Sequence, residues 1–344
     1  MRTVYVVVPE GIDDPARPSG GNVYDRRVCD GLVAAGWLVH EHTVPGEWPR
    51  VDTAARWALG AVLAGLPDDA VVLVDGLIAS TVPDVLVPAA ARLRLVVLVH
   101  MPLGGERERW VLDAAEAVIV TSGWTRRWLV EEQALNAHRV HVAEPGVDAA
   151  DPVRGSRGGD ELLCVAAVRP DKGHDVLLTA LAAIKDRTWH CVLVGSTADD
   201  PAYFARLAQQ ARAGGIDDRV EFTGPRTGED LDQTYARADL AVLATRAETY
   251  GMVVTEALAR GLPVVASAVG GLPEALGRAA DGNRPGLLVP PDNPAALADA
   301  LRQWLDDDHL RHQLRGAAHQ RRETLPAWPH TVARVDRVLT EVAR

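Results

Sequence analysis

Leu240-Ala241-Val242-Leu243-Ala244-Thr245 runs into Arg246-Ala247-Glu248-Thr249-Tyr250-Gly251. Met252-Val253-Val254-Thr255-Glu256-Ala257-Leu258-Ala259-Arg260-Gly261 follows, and then Leu262-Pro263-Val264-Val265-Ala266-Ser267. The first and last of these runs are apolar without the alternation of a half-exposed strand. They read as strands buried on both faces of a parallel sheet. Between them a glycine-bearing loop opens a helix that ends at Arg260-Gly261. The stretch is therefore one strand–loop–helix–strand unit.

Working outward, short apolar runs of the same kind recur between helical patterns. In the first half they cover 4–8, 38–44, 70–75, 93–100, 117–122 and 139–143. In the second half they cover 161–168, 190–196, 219–224, 240–245, 262–267 and 286–290. Two sets of six strands, each interleaved with helices, predict an α/β protein of two doubly wound, Rossmann-like domains side by side. Residues 21–36 place Tyr24, Val28 and Leu32 on one helical stripe with Gly36 at the C-cap. Residues 52–66 and 234–238 also read as helical. Glu144-Pro145-Gly146-Val147-Asp148, followed by the Gly- and Pro-rich 149–160, reads as a linker. The expected domains are 1–150 and 160–326. Pro326 and Pro329 suggest a bend before a final helix over 328–344, which is expected to return to the first domain.

A length of 344 residues with 47% hydrophobic side chains supplies two cores. The net charge of −11, with both halves acidic, argues against a nucleic-acid partner and against docking on anionic lipid. Cys29, Cys164 and Cys191 lie far apart in no metal or disulfide pattern, which fits a reducing, cytoplasmic setting. No apolar stretch reaches 18 residues, and the N-terminal run is too short for a signal peptide, so no stable membrane insertion is expected. The acidic run Asp306-Asp307-Asp308 reads as a solvated helix end. His309, His312 and His319 lie on a charged helix and carry no metal expectation.

Chemistry concentrates where strands give way to helices. Glu248 and Glu256 bracket a helix start. Gly251 lets the backbone approach a ligand, and the N–H groups of Gly251, Met252 and Val253 favour a phosphate. Glu256 can accept hydrogen bonds from sugar hydroxyls. Arg169 and Lys172, in Arg169-Pro170-Asp171-Lys172-Gly173, put two cations at another strand–helix junction, which suits a diphosphate. Gly20-Gly21 follows the first strand, and Gly270-Gly271 opens another loop-to-helix turn. His100 closes the strand at 93–100, on the edge where open α/β sheets bind ligands.

Together these motifs resemble the retaining glycosyltransferases of family 4, whose architecture is GT-B. The paired glutamates Glu248 and Glu256, the run from Glu256 to Ser267, Gly270-Gly271 with Pro273-Glu274, Arg169 with Lys172, the segment 144–148, Gly20-Gly21 and His100 all match the family's order. Tyr250 stands where the family often has Phe, and Arg246 is an addition. The resemblance implies two Rossmann-like domains facing a cleft. It implies transfer of a hexose from a nucleotide diphosphate sugar to an acceptor hydroxyl, with retention at the anomeric carbon. A UDP-sugar is the favoured donor and GDP-mannose a possible one. Arg169, Lys172 and the amides of Gly251, Met252 and Val253 would hold the diphosphate, and Glu256 the ribose. Glu248 and His100 would hold the donor sugar, with Gly20 and Gly21 beside it. No metal and no cofactor is implied. The acidic first half favours a small polar acceptor over a lipid.

Three alternatives stand beside this reading, one of them a donor-binding protein without transfer. A nucleotide-sugar epimerase shares the architecture. An NAD-dependent dehydrogenase would need GxGxxG after a strand and an acidic residue about 20 residues on, which neither Gly20-Gly21 nor Gly270-Gly271 completes.

Overall fold

The computed structural model describes residues 2–14, 19–156 and 158–344, so Arg157 of the expected linker lies outside the described residues. Among the described residues, twelve strands form two parallel six-stranded sheets. The first contains β1 (Arg2–Pro9), β2 (Trp37–Val44), β3 (Val71–Asp75), β4 (Arg94–Val99), β5 (Ala117–Val120) and β6 (Val140–Val142) in the order β2-β1-β3-β4-β5-β6. The second contains β7 (Glu161–Val165), β8 (His190–Val194), β9 (Val220–Gly224), β10 (Leu240–Leu243), β11 (Val264–Ser267) and β12 (Gly286–Val289). Its order is β12-β11-β10-β7-β8-β9. Each predicted apolar run supplies one strand.

The expectation of strands buried on both faces holds for the central strands and fails at the edges. All five residues of β3 are buried, whereas β2 buries only Trp37 and Val44 at its two ends. β9, at the far edge of the second sheet, buries none of its residues fully. An edge strand has one hydrogen-bonded neighbour and less helix cover, so polar and apolar residues both fit there.

The chain divides into two compact units. One comprises 19–146 with the N-terminal strand and the segment Pro326–Arg344; the other is Val147–Leu325. Residues 147–159, expected to be linker, are tied to the second unit. The Val153 N–H donates to the Arg260 carbonyl at 2.8 Å, and Asp239 receives the Ser156 hydroxyl at 2.6 Å. The acidic run at 306–308 is likewise not merely solvated. Asp306 pairs with Arg187 at 2.9 Å, Asp307 caps the next helix at the Leu310 N–H, and Asp308 pairs with Arg311.

The final helix, Trp328–Val342, packs on the first helix, Gly20–Ala34, burying Val332, Val335, Val338 and Leu339. The approach is close because Gly31 has no side chain: a Cβ there would lie 2.3 Å from Val332 Cγ2. Gly31→Ala should therefore force the helices apart and cost about 1–3 kcal/mol, the usual penalty of overpacking. Gly60→Ala, in the helix Thr53–Ala64 with open space around it, should instead stabilise by about 0.5–1 kcal/mol through helix propensity. Urea unfolding of the two variants side by side checks this; equal effects would refute the packing argument.

Candidate active site

In the second sheet the strand order reverses between β7 and β10, whose crossovers leave in opposite directions. Their C-terminal ends therefore open a crevice. β7 leads to 166–175 and β10 to 244–251, the two segments singled out in the sequence. The Asp171 carbonyl joins them: it accepts the Arg246 N–H at 2.8 Å and the Thr245 hydroxyl at 2.9 Å. Gly173 permits this contact. Its φ is +67°, and a Cβ there would lie 2.0 Å from the Ala244 carbonyl oxygen. Arg246 adds a second fastening by gripping both oxygens of Asp175 at 2.8 and 2.7 Å and reaching Asp292 at 2.6 Å.

So fastened, the two loops bring Lys172 and Glu248 together. Lys172 Nζ donates to Glu248 Oε2 at 2.9 Å, and the side chains keep 24% and 19% of their exposure, so a ligand can reach both. Arg169 does not join Lys172 in a pair of open cations. Its guanidinium donates to both oxygens of its neighbour Asp171, each at 2.9 Å. His174, just behind, is buried, and burial lowers its pKa to about 4, so it stays neutral.

Glu248 is braced from behind by Gly270 and Gly271. The Gly271 N–H donates to the Glu248 carbonyl at 3.0 Å, and a Cβ on Gly270 would sit 1.7 Å from that same oxygen. Gly251, at φ +95°, is the N-cap of the helix Met252–Ala259. Gly251 is buried, while Met252 and Val253 are half-buried. One turn in, Glu256 accepts the Tyr235 hydroxyl at 3.1 Å, and Arg260 stacks 4.3 Å over the Tyr235 ring. Burial raises the Glu256 carboxyl above its ordinary value. A fixed ammonium, an accessible carboxylate and a helix N-terminus on one edge suit a ligand with an anionic group beside hydroxyls.

The first unit holds the remaining candidates. Gly20 and Gly21 begin the first helix, capped by the Ser19 hydroxyl at 3.1 Å from the Asn22 N–H. Gly21 abuts the imidazole of His100, which follows β4; a Cβ on Gly21 would be 3.3 Å from His100 Cδ2. His100 Nε2 lies 2.7 Å from Asp25 Oδ1 and 3.9 Å from Asp75 Oδ2. Sequence reading passed over both aspartates. A signal existed for Asp75: a carboxylate closes the otherwise apolar run Val71–Asp75 at the sheet's ligand edge. Among the described residues, Asp25, Asp75 and His100 are the one group of acidic, thiol or imidazole side chains close enough to share an ion. His309, His312 and His319 form no such group.

Residues 152–321 match the family model described as glycosyl transferases group 1. These residues carry a domain of this family. It is 34% identical over 247 residues to a D-inositol 3-phosphate glycosyltransferase of Mycolicibacterium smegmatis, covering 67% of this chain and 54% of that protein. It is 31% identical over 244 residues to the protein so named in Jonesia denitrificans, covering 65% and 56%. The chain thus spans about half the length of these curated relatives. Among solved structures, sucrose-phosphate synthase from Thermosynechococcus elongatus superposes with a TM-score of 0.79 at 22% identity over 99% of both chains. The Anabaena protein HepE in complex with UDP and glucose gives 0.79 at 18% identity over 99% of this chain and 100% of that one. The family resemblance and the two-domain GT-B fold expected from the motifs are thereby borne out. No helix among the described residues is long and apolar enough to cross a membrane.

The Arg246–Asp175 contact makes a prediction about acid. Hydrogen bonds from Arg246 hold the Asp175 carboxyl down to about 2. The folded value is lower than the unfolded one, so the contribution is fully present above the ordinary carboxylate value and lost as pH falls through about 2. Arg246→Met should cost about 1 kcal/mol at pH 6, the scale of a half-exposed ion pair. Its deficit against the unaltered protein should shrink between pH 4 and pH 2. Denaturant titrations across that range decide; an unchanged midpoint at pH 6 would contradict the fastening role.

Proposed function

We propose that this protein transfers a hexosyl group from a nucleotide diphosphate sugar to an acceptor hydroxyl, with retention at the anomeric carbon and without a metal. The observation that carries this reading is the meeting of Lys172 and Glu248 at the β7/β10 edge, 2.9 Å apart, in a domain of the group 1 family. On donor binding, Lys172 would shift part of its interaction from Glu248 to the diphosphate. Glu248 would then accept hydrogen bonds from the sugar hydroxyls. The N–H groups of Gly251, Met252 and Val253 add positive potential for the departing diphosphate as the glycosidic bond breaks. Arg169 would join by turning from Asp171, and Glu256 would hold the ribose. His100, with Gly20 and Gly21 beside it, would meet the sugar. A UDP-sugar is the favoured donor. The relatives named for inositol 3-phosphate support a small polar acceptor, and the acidic first half agrees with it.

Two measurements test the assignments. Lys172→Ala should weaken UDP or GDP binding by about 1.5–3 kcal/mol, the worth of a charged hydrogen bond. Unchanged affinity by calorimetry in both Lys172→Ala and Arg169→Ala would remove the diphosphate role.

Glu248→Gln keeps the shape but loses the charge, so turnover should fall by more than affinity for the nucleotide alone. Incubation with donor and no acceptor, followed by intact-protein mass spectrometry, examines its chemistry. A sugar adduct on Glu248 would replace the orienting role with a covalent one. Product analysis with a labelled donor reports the rest: a transferred sugar of retained configuration supports the reading, and an epimerised donor refutes it.

A further inference from the structure

Asp25 and Asp75 are 3% and 4% exposed and lie side by side at the C-terminal edge of β1, β3 and β4. Asp25 Oδ1 meets His100 Nε2 at 2.7 Å, but Asp25 Oδ2 is buried without a partner. Asp75 Oδ1 accepts the Leu77 N–H at 2.6 Å. One ligand atom from each of the three residues lies within 4.8 Å of the others. Val6, Val8, Val28, Cys29, Leu73 and Leu98 wall the small space around the two carboxyls, a cavity of about 10 Å³.

Two ionised carboxylates do not persist together in an apolar wall, because each disfavours the other's charge and both lose their hydration. A proton held between them supplies Asp25 Oδ2 with the partner it lacks. One negative charge then remains, and His100 is the group in contact to balance it. We propose that Asp25 and Asp75 share a single proton and hold His100 as an imidazolium, which offers its Nδ1–H to an oxygen of the donor substrate. Asp25 and Asp75 are thus positioning residues that act through His100. The identity of that ligand rests on the function proposed above; the charge state of the triad does not.

The groups facing the imidazole agree. On the first helix they are Asp25 and Tyr24, whose ring stands edge-on at 5.1 Å and whose hydroxyl donates to the Ala143 carbonyl at 2.9 Å. On β3 the facing group is Asp75, while Val6 and Val8 of β1 and Leu98 of β4 line the space around the two carboxyls. Cys29 stays neutral, its thiol pushed by burial up to about 12. Burial, with Asp25 alongside, raises Asp75 to about 8. For His100 burial works toward the neutral ring, but the charge and hydrogen bond of Asp25 outweigh it, and Asp75 adds to them, giving about 9. A divalent cation would also neutralise the pair. A hard cation, however, asks for six or more oxygens, and this cavity has room for about one water-sized atom between apolar walls.

The test is a pH titration of the full chain labelled with 15N-histidine, with His100→Gln identifying the His100 signals. Both His100 nitrogens should be protonated at pH 7.5 and titrate near pH 9. Asp25→Asn should lower that midpoint by at least one pH unit, and Asp75→Asn should lower it less. A neutral His100 ring at pH 7.5 in the unaltered protein would overturn the proposal. So would a midpoint unmoved by Asp25→Asn, or one equivalent of zinc or manganese in the purified protein that Asp25→Asn loses. Should Asp25→Asn fail to fold, the titration of the unaltered protein still decides. No donor is needed, so failure here is separable from failure of the transferase reading, which product analysis reports.

Discussion

A single backbone carbonyl, that of Asp171, holds the second unit's ligand edge in shape. It receives the Arg246 N–H and the Thr245 hydroxyl at once, and so ties the segment leaving β7 to the segment leaving β10. Asp171 sits in the single 3-10 turn Pro170–Lys172, and Thr245 and Arg246 lie past the end of β10, so these backbone groups are satisfied by one another rather than by a ladder. The contact also demands that no side chain stand at position 173, where a Cβ would overlap the Ala244 carbonyl. Once that join is made, Lys172 and Glu248 follow, since each lies within a few residues of it.

The same logic governs both sheets. Each is doubly wound, and each collects the side chains of its candidate site where the order of strands reverses: β7 beside β10 in one, β1 beside β3 in the other. Reversal leaves a gap between two outgoing loops that no helix covers, so polar side chains can gather there without breaking a core. The two edges are filled differently. In the second unit an ammonium meets a carboxylate, and a helix begins beside them. In the first, two buried carboxyls meet an imidazole.

Twelve strands were legible because a parallel strand buried on both faces leaves an unbroken apolar run, as in Val71–Asp75. That reasoning misjudged β2 and β9, since lying at an edge is a property of pairing order, which no local run records. Lys172 and Glu248 were legible as types at loop-to-helix junctions. Their contact was not, for it spans 76 residues of chain. Asp25 went unread for a similar reason. On its helix it sits beside the apolar stripe of Tyr24, Val28 and Leu32 and looks like a boundary residue; only folding brings it to His100, 75 residues on. Arg246 read as an addition to the motif. Its role appeared only with Asp175, Asp292 and the Pro170 carbonyl around it.

A division of labour between these contacts bears on how such an edge can work. Lys172 and Glu248 are each about a fifth exposed, and for an ion pair so far withdrawn from water the cost of desolvation offsets much of the Coulombic gain, so its net contribution to stability is small. The loops that carry it are fastened elsewhere, by the Asp171 carbonyl, by the grip of Arg246 on Asp175 and by the seating of Gly270 and Gly271 against the Glu248 and Thr249 carbonyls. A ligand that draws Lys172 away from Glu248 therefore opposes only a weak interaction and leaves the fastening intact. Had the ion pair itself closed the loops, any anion that engaged Lys172 would have had to work against the local fold, and the binding energy would have gone into unfastening it. Because the fastening lies in contacts that involve neither the Lys172 ammonium nor the Glu248 carboxylate, the pair is free to exchange partners while the positions of both residues stay fixed.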